Sequence, residues 1–161
     1  GYDGARFAKN IVRGSRVAVT AGAGYDGTAR GESLFVVDGA PAQGKTVADV
    51  EAALRAEITR IQTDGVSDDE LRRVKAQAVA GQVYKRDSLM GQAMEIGMGE
   101  MVGLSWKDDA YMLERIRAVT PAEVQAVAKK YFSDETLTIA RLDPLPVDPQ
   151  ARERAAAPHR H

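Results

Sequence analysis

Most side-chain chemistry at neutral pH runs through histidine or cysteine. This chain has no cysteine, and its two histidines, His159 and His161, lie in its last three residues. From Gly1 to about Asp143 there is neither imidazole nor thiol. A serine or cysteine nucleophile activated by histidine cannot be assembled there. A zinc site of the usual histidine or cysteine kinds cannot be built there either. His159 and His161 read as two imidazoles on a disordered terminus. Carboxylates are the other candidates, namely Glu51, Glu57, Asp68, Asp69 and Glu70. The last three are consecutive, point different ways around a helix, and are explained by helix capping. The sequence therefore leads us to expect no catalytic and no metal-ligating residue in this chain.

Three features could serve binding. Arg13 carries a forked set of donors that suits a substrate carbonyl or carboxylate. The plainer reading of Arg13, and the favoured one, is a cation at a helix C-terminus interacting with the dipole. Ala18, Thr20, Gly22 and Gly24 give a strand one nearly bare face. Such a face is either a chamber wall or the floor beneath a closely packed helix. Met90, Met94, Met98 and Met101 form a stripe at helical spacing. It reads first as core, with an adaptable surface for partner helices as the alternative.

These residues need elements to position them. The chain has 161 residues, 44% hydrophobic and 28% charged, with net charge -1. That is one domain's worth of ordinary globular composition, with no basic footprint for nucleic acid. No apolar run approaches the ~18 residues of a membrane span, and the opening GYDGARFAKN lacks the apolar stretch of a signal peptide. Apolar spacing predicts the end of a helix over Ala5 to Val12, stopped by Gly14. A strand over Val17 to Tyr25 and a second over Leu34 to Val37 form a hairpin, hence antiparallel, with Gly39, Pro41 and Gly44 breaking the pattern. Thr46 caps a helix that ends at Gly65, and Ser67 to Glu70 is a capping box opening a long helix. Lys75, Lys85 and Arg86 belong to its solvated side. A shorter helix covers Lys107 to Ile116. Val119 to Val124 combines Thr120 as cap, Pro121 at the first helical position, Glu123 and a Val119–Val124 staple. That helix runs to about Phe132, and Leu137 to Leu142 is a last strand. Residues 144–161, rich in proline, arginine and alanine, read as a disordered tail. The pattern is α+β, an antiparallel sheet with helices on one face. Three strands are few for so many apolar helix faces, so the sheet is expected to lack its first strands.

Four stretches in order carry a resemblance: ARFAKNIVRGSRVAVTAGAGYDG, the hairpin strand with LFVVDGAP, the helix junction DGVSDDELRRVK, and IRAVTPAEVQAVAKKYF followed by LTIARLDP. From about Gly4 to Pro144 the chain resembles the second, C-terminal and non-catalytic α+β domain of the insulinase-like zinc metallopeptidases, peptidase family M16. The implied fold is the half-unit of the LuxS/mitochondrial-processing-peptidase-like metallohydrolases, here truncated at its N-terminus. In that family zinc is held by an HxxEH helix and a downstream glutamate, and the motif's glutamate activates zinc-bound water. This sequence contains no such motif.

The resemblance thus implies that this chain is not itself an enzyme and binds no cofactor. Zinc belongs to another domain of the parent protein or to a partner subunit bearing HxxEH, with peptides or unfolded proteins as substrate. The chain's share is then chamber wall and inter-domain contacts. Family members supply an arginine after the first helix and a tyrosine in the next strand to the substrate. Arg13 matches the arginine, but the tyrosine position falls on Val19 or Thr20, neither of which has a phenol. The same fold also serves as a purely structural assembly subunit, which is the alternative function. An exposed sheet edge further suggests self-association by strand addition. The family analogy suggests the periplasm or cell envelope.

Overall fold

The computed structural model describes residues 4–85 and 88–143. His159, His161, Arg86 and the tail expected over 144–161 lie outside the described residues. The described elements are a π-helix Phe7–Gly14, strands β1 Ala18–Tyr25 and β2 Phe35–Pro41, and helices α1 Val47–Asp64, α2 Asp68–Lys85, α3 Leu89–Val102, α4 Asp108–Ala118 and α5 Pro121–Tyr131. A 3-10 turn, Asp134–Thr136, follows α5. The class is α+β with an antiparallel two-stranded sheet, as the sequence pattern implies.

The helix ends follow from local chemistry. Thr46 accepts from the Asp49 amide while the Asp49 carboxylate accepts from the Thr46 amide, a reciprocal capping box. Thr120 and Glu123 repeat it on α5, with Pro121 in the first turn. Gly65, at φ 73°, closes α1 in a conformation that side chains disfavour.

The core is small and lies against one face of the hairpin. Ile11, Ala18 and Val50 are buried, with Phe7, Val17, Ala21, Ala53 and Leu54 packed against them. A Cβ placed on Gly39 would sit 2.8 Å from the Val50 side chain and 3.6 Å from that of Leu54, so α1 crosses β2 on the Gly39 side. Phe35 shares that face by strand alternation and meets Phe132 at 4.9 Å between ring centroids. Helix α5 runs antiparallel to α1 and is clasped to it. The Gln62 amide donates to the Ala128 and Phe132 carbonyls, and the Gln125 amide donates back to those of Gln62 and Thr63. The Phe132, Gln62 and Thr63 carbonyls lie at helix ends, where intrahelical donors run out, while that of Ala128 also accepts from the Phe132 amide.

Several expectations are corrected. The first helix is wound as a π-helix, closed by the Ser15 amide on the Asn10 carbonyl at 2.8 Å, and it reaches Gly14 rather than Val12. Apolar spacings of four and five, from Phe7 to Ile11 and Val12, suit that winding as well as an α-helix. Strand β2 is not broken at Gly39 and extends to Pro41, because the bare glycine is what lets α1 approach. Leu137 to Leu142 is not a strand. Leu137 has extended dihedrals (φ -88°, ψ 127°), but the segment makes no ladder with β1 or β2. An extended segment becomes a strand only when an edge pairs with it; here Arg141 ties it to Glu51 on α1 at 2.7 Å instead. Ser67 to Glu70 is half a capping box: the Ser67 hydroxyl accepts from the Glu70 amide at 3.2 Å, but the Glu70 carboxylate is drawn away to Arg6. The methionine stripe is exposed rather than core.

Candidate functional site

Strand β1 does not alternate strictly. A bulge between Ala18 and Thr20 inserts one residue opposite the Ala40–Pro41 end of β2. Beyond it, Ala21 and Ala23 share a face with Gly39 and Val37, the side on which α1 packs. Thr20, Gly22 and Gly24 share the opposite face with Ala40, Asp38 and Val36. The bulge splits the bare face expected over Ala18, Thr20, Gly22 and Gly24: Ala18 is buried against Ile11 and Val50, as the floor reading has it, whereas the rest of the face is not covered that way. Thr20, Gly24, Val36 and Asp38 are exposed, and the Asp38 carboxylate lies over Gly22, 2.9 Å from where a Cβ would sit. The hairpin has one side given to the core and one open side with small residues along its first strand.

Arg13 sits in the last turn of the π-helix, exposed, just before this hairpin. Val19 and Thr20, the positions of the expected tyrosine, fall at the bulge and are exposed. The structure thus sets Arg13, the bulge and the open face on consecutive parts of one helix–hairpin unit.

Glu51, Glu57, Asp69 and Glu70 have structural partners. Glu57 is 3% exposed, accepts from the Asn10 amide at 3.0 Å and pairs with Arg60, so it anchors the π-helix to α1. Arg6 grips Glu70 with two bonds, at 2.6 and 2.8 Å, and donates to the Gly65 carbonyl at 3.1 Å, linking the π-helix to the α1–α2 junction. The hydrogen bonds and charge of Arg6 hold the Glu70 carboxyl below the usual glutamate range, against the opposing effect of burial. Glu51 bridges Arg55 and Arg141, whose bonds lower its pKa in the same direction. Asp69 pairs with Arg72. Among the described residues, no three His, Cys, Asp or Glu side chains are grouped to hold a metal ion. Residue types alone did not reveal these pairings, because Arg6 and Glu70 are 64 positions apart. Lys75, expected on a solvated face, donates to the Arg117 carbonyl at 2.7 Å and so caps α4 from outside. A shallow groove of about 380 Å³ lies beside it, lined by Asp68, Leu71, Arg72, Lys75 and residues 118–121.

An α+β unit of this build is found in solved proteins. The fold is similar to that of a protease from Helicobacter pylori known from its crystal structure, with a TM-score of 0.75, 14% identical residues, and a match covering 83% of this chain and 32% of that one. The chain therefore corresponds to about a third of that protease's length. No protein-family model and no curated protein sequence matches it. Among the described residues no helix is long and apolar enough to cross a membrane.

Proposed function

We propose that this chain is a non-catalytic domain of a zinc-dependent metalloendopeptidase of the insulinase-like type, M16. Its zinc and HxxEH helix are carried by another domain or by a partner subunit. The observation that carries this reading is the likeness of 83% of the chain to one third of a protease. It is joined by the lack of any histidine or cysteine before position 159. The open face of the hairpin, with Gly22 and Gly24 leaving room for a backbone to approach, suits the wall of a peptide-holding chamber. Arg13, exposed at the end of the π-helix that leads into this hairpin, has the forked guanidinium that suits a peptide carbonyl or carboxylate. With valine and threonine where the family has its tyrosine, that hold is half of the usual pair.

The domain's own work is shape. It buries one side of the hairpin under α1 and the π-helix and presents the other side to the substrate space. Zinc, held elsewhere, supplies water activated for attack on an amide. The experiment is metal content and hydrolysis of an unfolded protein by the chain alone, then again with an HxxEH-bearing polypeptide of the same family. Activity only in the mixture supports the reading. Zinc-dependent, chelator-sensitive turnover by the chain alone refutes it.

A further inference from the structure

Three neighbours lie in order around helix α1. Ala53 and Glu57 face the π-helix, which packs on β1 through Ile11 and Ala18. Val50 and Leu54 lie over Gly39 of β2. Glu51 and Arg55, about 100° further round the helix, hold Arg141 and Asp134 at 2.7 Å each. Residues 134–141 therefore lie beyond β2, on the side away from β1. The same contacts give direction. At one end Phe35 meets Phe132, whose carbonyl accepts from Gln62 near the end of α1. From there β2 runs to Gly39 under Val50 and Leu54, and the other segment runs from Asp134 at Arg55 to Arg141 at Glu51. Both head toward the start of α1, so β2 and 137–142 are parallel, yet no ladder joins them. Alternate residues of β2 turn N–H and C=O away from β1, and among the described residues none of them finds another backbone partner. From Thr138 to Leu142 the main chain has no hydrogen bond to any described residue. Phe35, Val36, Leu137 and Ile139, along these two runs, are exposed at 44–51%.

We propose that β2 and 137–142 flank a docking slot for one β-strand, which lies between them, runs antiparallel to both, and is contributed by another segment of the peptidase proposed above. The strand's source rests on that reading; the slot rests on the two unpaired main chains, which only another main chain can satisfy along their length. The occupant's chemistry follows from its neighbours. Arg141 reaches α1, so by alternation Ile139 and Leu137 point to the same side, as Phe35 and Val37 do on β2. Ile58, half-buried, lies on α1 between the stripe over β2 and the stripe over 137–142. The occupant's side chains facing α1 are therefore apolar. Those on its other face stand beside Asp38 and Thr138 and are polar. A second copy of the chain does not suit the place, because its hairpin brings two strands and would displace 137–142.

The test uses the full 161-residue chain and a synthetic peptide, acetyl-KTVTVTVTK-amide, with amide hydrogen exchange followed by NMR. Millimolar peptide is expected to slow exchange at least about tenfold at outward amides of β2 and at amides of 138–142 together. Methylating the peptide's amides at odd positions only, or at even positions only, should each abolish this protection. A strand held on both edges uses both sets of N–H, whereas addition to a single edge tolerates one of the two patterns. The chain has no cysteine, so L34C should form a disulfide with a cysteine at the peptide's C-terminus, and L142C with one at its N-terminus. The proposal is overturned by no protection, by tolerance of either methylation pattern, or by joining in the opposite sense. A dimer of the chain alone with its β2 edge already protected overturns it in favour of a second copy. No step needs zinc or turnover, so a chain that proved to be a zinc enzyme by itself would refute the peptidase reading without emptying the slot.

Discussion

Which side of the hairpin faces the helices can be decided with two alanines. At Gly39 a new Cβ would stand 2.8 Å from the Val50 Cγ1 and 3.3 Å from the Thr20 carbonyl oxygen. Val50 is buried at 3% exposure, and its β-branched side chain has little freedom to rotate away. Overpacking of this kind costs about 1–3 kcal/mol. Alanine for glycine at a permitted backbone conformation returns about 0.4–1 kcal/mol through the unfolded chain. Gly39 is itself exposed, so β2 can yield a little. G39A should therefore lose roughly 1–2 kcal/mol. At Gly22, on the opposite face, the close atoms belong to Asp38, an exposed side chain that can swing aside. G22A should be within about 0.5 kcal/mol of neutral, as for other surface substitutions. Urea titrations followed by circular dichroism measure both, with slopes checked for constancy. V50A should remove most of the penalty of G39A in a double-mutant cycle, because the two share one contact. A neutral G39A beside a damaging G22A would mean that the helices pack on the other side of the hairpin and that the Gly22 face is not open.

Two other substitutions probe how the unit is held together. Glu70 titrates below the ordinary glutamate range in the folded chain because Arg6 binds its charged form. Its contribution is therefore complete above the unfolded glutamate value of about 4.3 and is lost as pH falls through the lower folded value. E70Q should cost roughly 1–2 kcal/mol at neutral pH, the range for a charged hydrogen bond reduced by partial exposure. Its stability should also fall less steeply than the parent's below pH ~4.3, which a pH series of urea midpoints reads. Q125A removes both donations to the end of α1 and should lower stability by about 1–2 kcal/mol. A loss much below this in thermal unfolding would mean that water replaces the clasp.

The sequence was legible where structure is decided within a few residues. Thr46, Gly65, Thr120 and Pro121 mark helix ends by chemistry complete in one turn, and the hairpin follows from two short apolar runs around a turn. It was illegible where a distant partner decides. Glu70 sits in a good local capping box, yet Arg6 offers its carboxylate two charged hydrogen bonds and wins. Leu137 to Leu142 has a strand's composition, but strand identity belongs to the pairing edge and no edge reaches it. The methionine stripe has the periodicity of a buried face, and periodicity does not say which side of a helix is covered. Arg13 stood out as a fork of donors after a helix, but the π-winding that positions it leaves no mark in residue spacing. The bulge that turns Val19 outward is equally silent.

We propose that this polypeptide forms the wall of a peptidase whose metal lies beyond it. The most direct test is the zinc content of the purified 161-residue chain after gel filtration, read alongside cleavage of a fluorescent unfolded substrate. The account predicts well under one zinc per chain and no cleavage that a chelator abolishes. One tightly held zinc per chain, with turnover lost on chelation and restored by added zinc, would contradict it.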